Sequence, residues 1–99
     1  MSSVRLTKAA NRDLQDIWKF IAADNRSAAQ AYTDKLRSVI TQLGAFPELG
    51  RARDGVLIGM RSIAVESHLI FYTVSGRTVR IIRILHSKQD VARVMKRLG

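Results

Sequence analysis

Apolar positions along the chain change period three times, and each change marks an element. Ala10, Leu14, Ile17, Trp18 and Ile21 recur in steps of three and four, which predicts one amphipathic helix with Thr7 as its N-cap. Asp24-Asn25 interrupts it. Ser27-Ala28-Ala29-Gln30 then reads as a capping box opening a second helix, whose face runs through Ala29, Tyr32, Leu36, Val39, Ile40 and Leu43 to Gly44 as the terminating residue. Trp18 and Tyr32 are expected in the core. Residues 44–59 hold four glycines and one proline without a period, so they are expected to form a long connecting loop.

Beyond residue 60 the pattern is that of strands. Residues 61–66, 69–74 and 78–86 are β-rich, with turns at Glu66-Ser67-His68 and Ser75-Gly76, which predicts a three-stranded antiparallel meander. The middle run, Leu69-Ile70-Phe71-Tyr72-Thr73-Val74, is apolar on both faces and is expected at the centre of the sheet, with Phe71 and Tyr72 pointing to opposite sides. Strict alternation in the last strand puts Arg80, Ile82, Ile84 and His86 on one face and Val79, Ile81, Arg83 and Leu85 on the other. Ser87 to Asp90 reads as a second capping box before a short helix over residues 90–98. With a short β-like entry at residues 4–6, the expectation is an α+β fold: an N-terminal strand, an antiparallel helical hairpin packed on an antiparallel sheet, and a short C-terminal helix, all in one domain over residues 1–99.

Composition narrows the function. The 99 residues contain no cysteine, which excludes disulfides, thiolate metal sites and a cysteine nucleophile. Two separated histidines and scattered carboxylates form no metal-ligand spacing, and no Gly-rich phosphate motif stands between a strand and a helix, so neither a metal nor a cofactor is expected. No apolar run is long enough to be a signal peptide or to span a bilayer, and a cytoplasmic protein without a membrane partner is expected. The net charge of +9 is uneven: residues 1–50 carry 7 basic and 5 acidic groups, and residues 51–99 carry 10 and 3. An acidic or polyanionic partner follows, contacted chiefly by the second half.

Several stretches together resemble the RelE/ParE toxin superfamily over nearly the whole length, nearer to its ParE side. They are Ala10-x-x-Asp13-Leu14-x-x-Ile17, Ala28-Ala29 with Tyr32, Leu43-x-x-Phe46-Pro47-x-Leu49-Gly50-Arg51, Gly59-Met60-Arg61-Ser62, Ile70-Phe71-Tyr72, and Ile82-Arg83-Ile84-Leu85-His86-x-x-x-Asp90. The resemblance implies a toxin of a type II toxin–antitoxin system, held inactive in a hetero-oligomer by an antitoxin with a DNA-binding domain and an extended tail.

Two activities divide that superfamily. The ParE-like branch inhibits DNA gyrase by binding it or its DNA complex, and the RelE-like branch cleaves mRNA in the ribosome. Cleavage requires a base, an acid and phosphate-binding cations; RelE-like enzymes often carry a key Tyr near the C-terminus, and residues 91–99 contain no Tyr, His or Glu. The expected activity is therefore binding, with no catalytic residue and with Arg53, Arg61, Arg80, Arg83, Arg93, Lys96 and Arg97 as contacts to target or antitoxin. The alternative, a ribosome-dependent mRNA interferase, would use Arg61, Arg83 and His86. The competing structural roles are a cap-adjacent position for His86, a paired arginine at a sheet edge for Arg83, an exposed turn for His68, and for the terminal cations simple complementarity to the helix dipole.

Overall fold

The computed structural model describes residues 3–96. Strand β1 (Ser3–Leu6) leads into helices α1 (Lys8–Ala22) and α2 (Arg26–Ala45), followed by a 3-10 turn at Pro47–Leu49. Four strands come next, β2 (Arg51–Ala52), β3 (Arg61–Val65), β4 (His68–Ser75) and β5 (Thr78–His86), and the described chain ends in helix α3 (Val91–Lys96). The sheet order is β1-β5-β4-β3-β2. The α+β fold and its element order are as the sequence predicts. The sheet, however, has five strands and is mixed, because β1 runs parallel to β5 and residues 51–52 add an outer strand to β3.

The helical hairpin covers one face. Ala10 and Leu14 of α1 and Leu36, Ile40 and Leu43 of α2 pack on Val65, Ile70, Tyr72, Val79, Ile81 and Ile84 of the sheet. On the other face Met60, Phe71, Leu85 and Met95 form a second, smaller cluster, joined by Val91 and Val94 of α3. Phe71 and Tyr72 thus serve opposite sides, which explains why β4 is apolar throughout. Tyr32 packs at the margin of the main core, and Trp18, expected inside it, is only half-buried.

Helix ends differ from the sequence reading in three places. Thr7 caps α1 as expected, its hydroxyl accepting from Ala10 N–H at 3.0 Å. The cap of α2 is Asn25, whose Oδ1 accepts from Ala28 N–H at 3.0 Å, and Ser27 lies inside the first turn. An Asx cap two residues earlier does the same work as the Ser/Gln pair, and asparagine is at least as good at it. At the far end Gly44 does not stop α2 but lies buried within it, and a Cβ there would sit 2.4 Å from Val4 Cγ2. Its missing side chain lets β1 cross the helix closely; Phe46 is the C-cap. Likewise Asp90, not Ser87, caps α3, with Oδ1 accepting from Arg93 N–H at 3.1 Å. Leu98 and Arg97 lie outside the described residues.

A bulge overturns the predicted faces of β5. Phe71 pairs with Arg83 but Tyr72 pairs with Ile81, so Ile82 is the extra residue. Val79, Ile81 and Ile84 therefore all meet the helices, while Ile82 and Leu85 join the second cluster. Period-2 counting fails at such a point because one inserted residue exchanges the two sides beyond it.

Candidate functional site

Of residues 44–59, expected as a long connecting loop, the first two belong to α2 and those that follow are held to the sheet by a small polar knot. The Tyr72 hydroxyl, fully buried at the centre, donates to the Pro47 carbonyl at 2.6 Å and accepts from Gly50 N–H at 2.7 Å. Arg61 Nη1 donates to the Gly50 carbonyl at 2.7 Å, and Arg53 Nε to the Ser62 hydroxyl at 2.7 Å. Burial raises the Tyr72 pKa, against the Gly50 hydrogen bond and the nearby Arg61 charge, so the phenol keeps its proton and its donor role. Arg53 and Arg61, both predicted contacts, are thus engaged in holding the loop. Beyond this anchored stretch the loop exposes Leu57 and Ile58, the latter 90% accessible.

Arg83 is committed elsewhere. Its Nε and Nη2 donate to Asp13 at 2.7 and 2.8 Å, and Asp13 Oδ2 also accepts the Ile84 backbone N–H at 2.9 Å. That bidentate bond is the first cause of the raised Arg83 pKa. The reason lies in the sheet: β5 is an interior strand, but β1 covers it only as far as Ile81. From there the chain between β1 and α1 takes over, Thr7 N–H donating to Ile81 O, Thr7 Oγ1 to Ile82 O, and Asp13 closing the row at Ile84. The sequence reading quotes Asp13 only within a family-like stretch and gives it no role, although a signal exists. With Ala10, Leu14 and Ile17 it completes the spacing of a buried face, where a lone acid needs a cation.

His86 and His68 stand together at the opposite end of β4 and β5. They are cross-strand partners with ring centroids 5.2 Å apart, edge to face. Tyr32 OH donates to Val65 O at 3.1 Å and lies 2.5 Å from His68 Nδ1, in a hydrogen bond whose direction is set by the His68 tautomer. His68 is therefore not the exposed turn residue of the sequence reading. Its pKa is lowered, first by burial and then by His86, with Asp13 opposing. His86 Nδ1 accepts from Lys88 N–H at 3.1 Å, and the His86 backbone N–H donates to Gln89 Oε1 at 2.8 Å, so it organises the turn into α3. Tyr32, His68 and His86 line a groove of about 550 Å³ together with Ile17, Phe20 and Ile21 of α1.

The interferase trio is consequently not assembled. Arg61 pairs with Tyr72 and His86 with His68, four residues apart along β4, or about 13 Å at the usual strand rise. Arg83, between them, is turned to Asp13. Of the predicted contacts among the described residues, Arg80, Arg93 and Lys96 remain displayed, all exposed and without a carboxylate partner among those residues. A second groove, of about 570 Å³, has Leu57, Met60, Ile82 and Met95 on its walls and Lys8 and Arg80 at its rim. Among the described residues no three His, Asp or Glu side chains gather as a metal site, and no helix is long and apolar enough to cross a membrane.

Comparison with known proteins agrees with this architecture. Residues 4–91 match the model of the ParE toxin of the type II toxin–antitoxin system, parDE. Toxin ParE1 of Mycobacterium tuberculosis (strain ATCC 25618 / H37Rv) is 36% identical over 91 residues, covering 89% of this chain and 92% of the relative. Toxin ParE3 of Caulobacter vibrioides is 31% identical over 93 residues, covering 93% of each. A chain of the chromosomal ParDE TA system from P. aeruginosa has the same fold, with a TM-score of 0.75 over 87% of this chain and 96% of that one at 21% identity. The protein belongs to the ParE toxin family of type II toxin–antitoxin systems.

Proposed function

We propose that this chain is a single-domain cytoplasmic toxin, residues 1–99, that arrests growth by binding DNA gyrase or the gyrase–DNA complex and stalling it. The observation that carries the choice over mRNA cleavage is the dispersal of Arg61, Arg83 and His86. Arg61 holds the loop, Arg83 is clamped by Asp13, and His86 braces a turn some 13 Å along the strand from Arg61. A binding inhibitor needs no such constellation. It needs a rigid surface of displayed side chains, and Arg80, Arg93 and Lys96 provide cations for one.

A cognate antitoxin neutralises the toxin in a hetero-oligomer. The groove between α3, the residue 53–60 loop and β5 suits a tail in which apolar side chains alternate with acidic ones: aliphatic walls take the former, and Lys8 and Arg80 the latter. Such a tail would bury upwards of about 1,000 Å² in total, part of whose gain is offset by ordering it.

The deciding experiment is a supercoiling assay with purified gyrase and toxin in the absence of ribosomes. Inhibition is the expected result, relieved by the antitoxin. Normal supercoiling at large toxin excess, together with mRNA cleavage on added ribosomes, would transfer the protein to the interferase reading.

A further inference from the structure

The outer face of the sheet is covered only in part. Alpha-helix α3 and the residue 53–60 loop close over Phe71, Leu85 and Ile82, but nothing among the described residues lies over the other end of β1, β5 and β4. There the alternation leaves six side chains pointing outward: Ser3 and Arg5 of β1, Thr78 and Arg80 of β5, Thr73 and Ser75 of β4. The opposite parity, Val4, Leu6, Val79, Ile81 and Tyr72, is committed to the helical core. Register brings the six into rows, Arg5 opposite Arg80 and Arg80 opposite Thr73, Ser3 opposite Thr78 and Thr78 opposite Ser75.

Every group on this surface is a guanidinium or a hydroxyl, and no carboxylate stands among them. Arg5 and Arg80 lie directly side by side on neighbouring strands, an arrangement of like charges that weakens a sheet. Neither has a carboxylate partner within the described chain, although the same protein pairs Arg83 with Asp13 and Lys35 with Glu66. Adjacent guanidiniums flanked by hydroxyl donors match the groups proteins place against nucleic-acid phosphates. The absence of apolar side chains makes the face unsuited to a lipid surface.

We propose that this uncovered half of the sheet, centred on Arg5 and Arg80, is a contact surface for the phosphodiester backbone of duplex DNA, sharing Arg80 with the rim of the groove assigned to the antitoxin. β1 is the edge strand and β5 its interior neighbour, so the Arg5–Arg80 row lies at the margin of the sheet, where phosphates bordering the wide major groove of B-form DNA come within reach and the deep, narrow groove of A-form RNA admits no such margin. Arg5 and Arg80 reach the phosphates, and the Ser/Thr row, in which the Ser3 and Thr78 hydroxyls share one hydrogen bond at 3.1 Å, supplies further donors.

The test is fluorescence anisotropy of a labelled 20-base-pair DNA with the full chain, titrated over a range of salt. Arg5→Gln/Arg80→Gln is expected to weaken binding at least tenfold at low salt. It should also flatten the slope of log K against log salt by about two, since each phosphate contact contributes about 0.9. Arg12→Gln/Arg26→Gln, which removes the same charge from exposed positions on the helices, is expected to change affinity less than threefold. Equal losses in both variants would reduce the effect to net charge and overturn the proposal, as would an unchanged Arg5/Arg80 variant. Duplex RNA or polyglutamate bound as tightly as DNA would overturn the assignment to DNA. Gyrase inhibition measured in parallel separates this surface from the proposed target: the contact stands if the double variant loses DNA binding whether or not it still inhibits.

Discussion

Asp13 of α1 and Arg83 of β5, seventy residues apart, form a bidentate pair whose carboxylate also takes the Ile84 amide. One side chain thereby ties the helical hairpin to the sheet at the β-bulge and covers a backbone donor that β1 is too short to reach. The pair is mostly shielded, with 11% of the Asp13 side chain and 21% of the Arg83 side chain accessible.

Asp13→Ala is expected to destabilise the fold by about 2–4 kcal/mol, because it leaves both a guanidinium and an amide without an acceptor. Arg83→Ala should cost less than this, since Asp13 keeps the Ile84 amide. Urea unfolding of both single variants and the double variant should give a coupling of about 1 kcal/mol or more; strict additivity would mean that the pair contributes nothing as a unit.

Tyr72→Phe removes the hydroxyl that joins Pro47 to Gly50 and should cost about 1–3 kcal/mol through two unsatisfied backbone groups. Gly50→Ala attacks the same knot sterically, since its Cβ would fall 2.4 Å from the Tyr72 hydroxyl and 2.8 Å from the Ser62 carbonyl. Hydrogen exchange should then accelerate over residues 46–53 in both variants. Protection equal to that of the parent would show that the loop is held by something other than this knot.

Acid should loosen the histidine end of the sheet. His68 in the folded protein binds its proton below the ordinary 6.5, chiefly because it is desolvated and next because His86 is near. The unfolded chain then holds more protons in the interval beneath 6.5, so this contribution to stability is complete above 6.5 and is lost as pH falls through the folded value. Melting temperature should drop between pH 7.5 and 5.5, and His68→Gln should flatten that dependence. An identical pH profile in the variant would assign the titration elsewhere.

Charge reversal at Arg93, Lys96 and Arg97 together is expected to abolish growth inhibition while leaving the fold and most antitoxin affinity intact. Arg93 and Lys96 are exposed on a helix docked through Val91, Val94 and Met95, so their reversal disturbs no core contact. Growth assays with and without the antitoxin read the first part, and co-purification the second. A fully toxic triple variant would confine these cations to solubility and helix-dipole complementarity and direct attention to Arg80.

Periodicity was enough to place α1, α2, the β3 to β5 meander and the double-sided β4, because those elements bury long stripes whose spacing is set by local geometry. It misassigned what depends on a partner far along the chain. Gly44 resembles a helix stop until Val4 is seen against it, and residues 51–52 resemble loop until β3 offers them a ladder. The bulge at Ile82 is written in no local pattern, and with it went the faces of β5. The basic candidates were legible as a set, since +9 on 99 residues needs no structure to be noticed. Their division was not: Arg83 is separated from Arg80 by a carboxylate seventy positions away, and Arg53 and Arg61 by a loop that folds back on them. A guanidinium is available to a partner only if the fold has not already supplied its acceptors, and only the tertiary structure decides which acceptors come within reach.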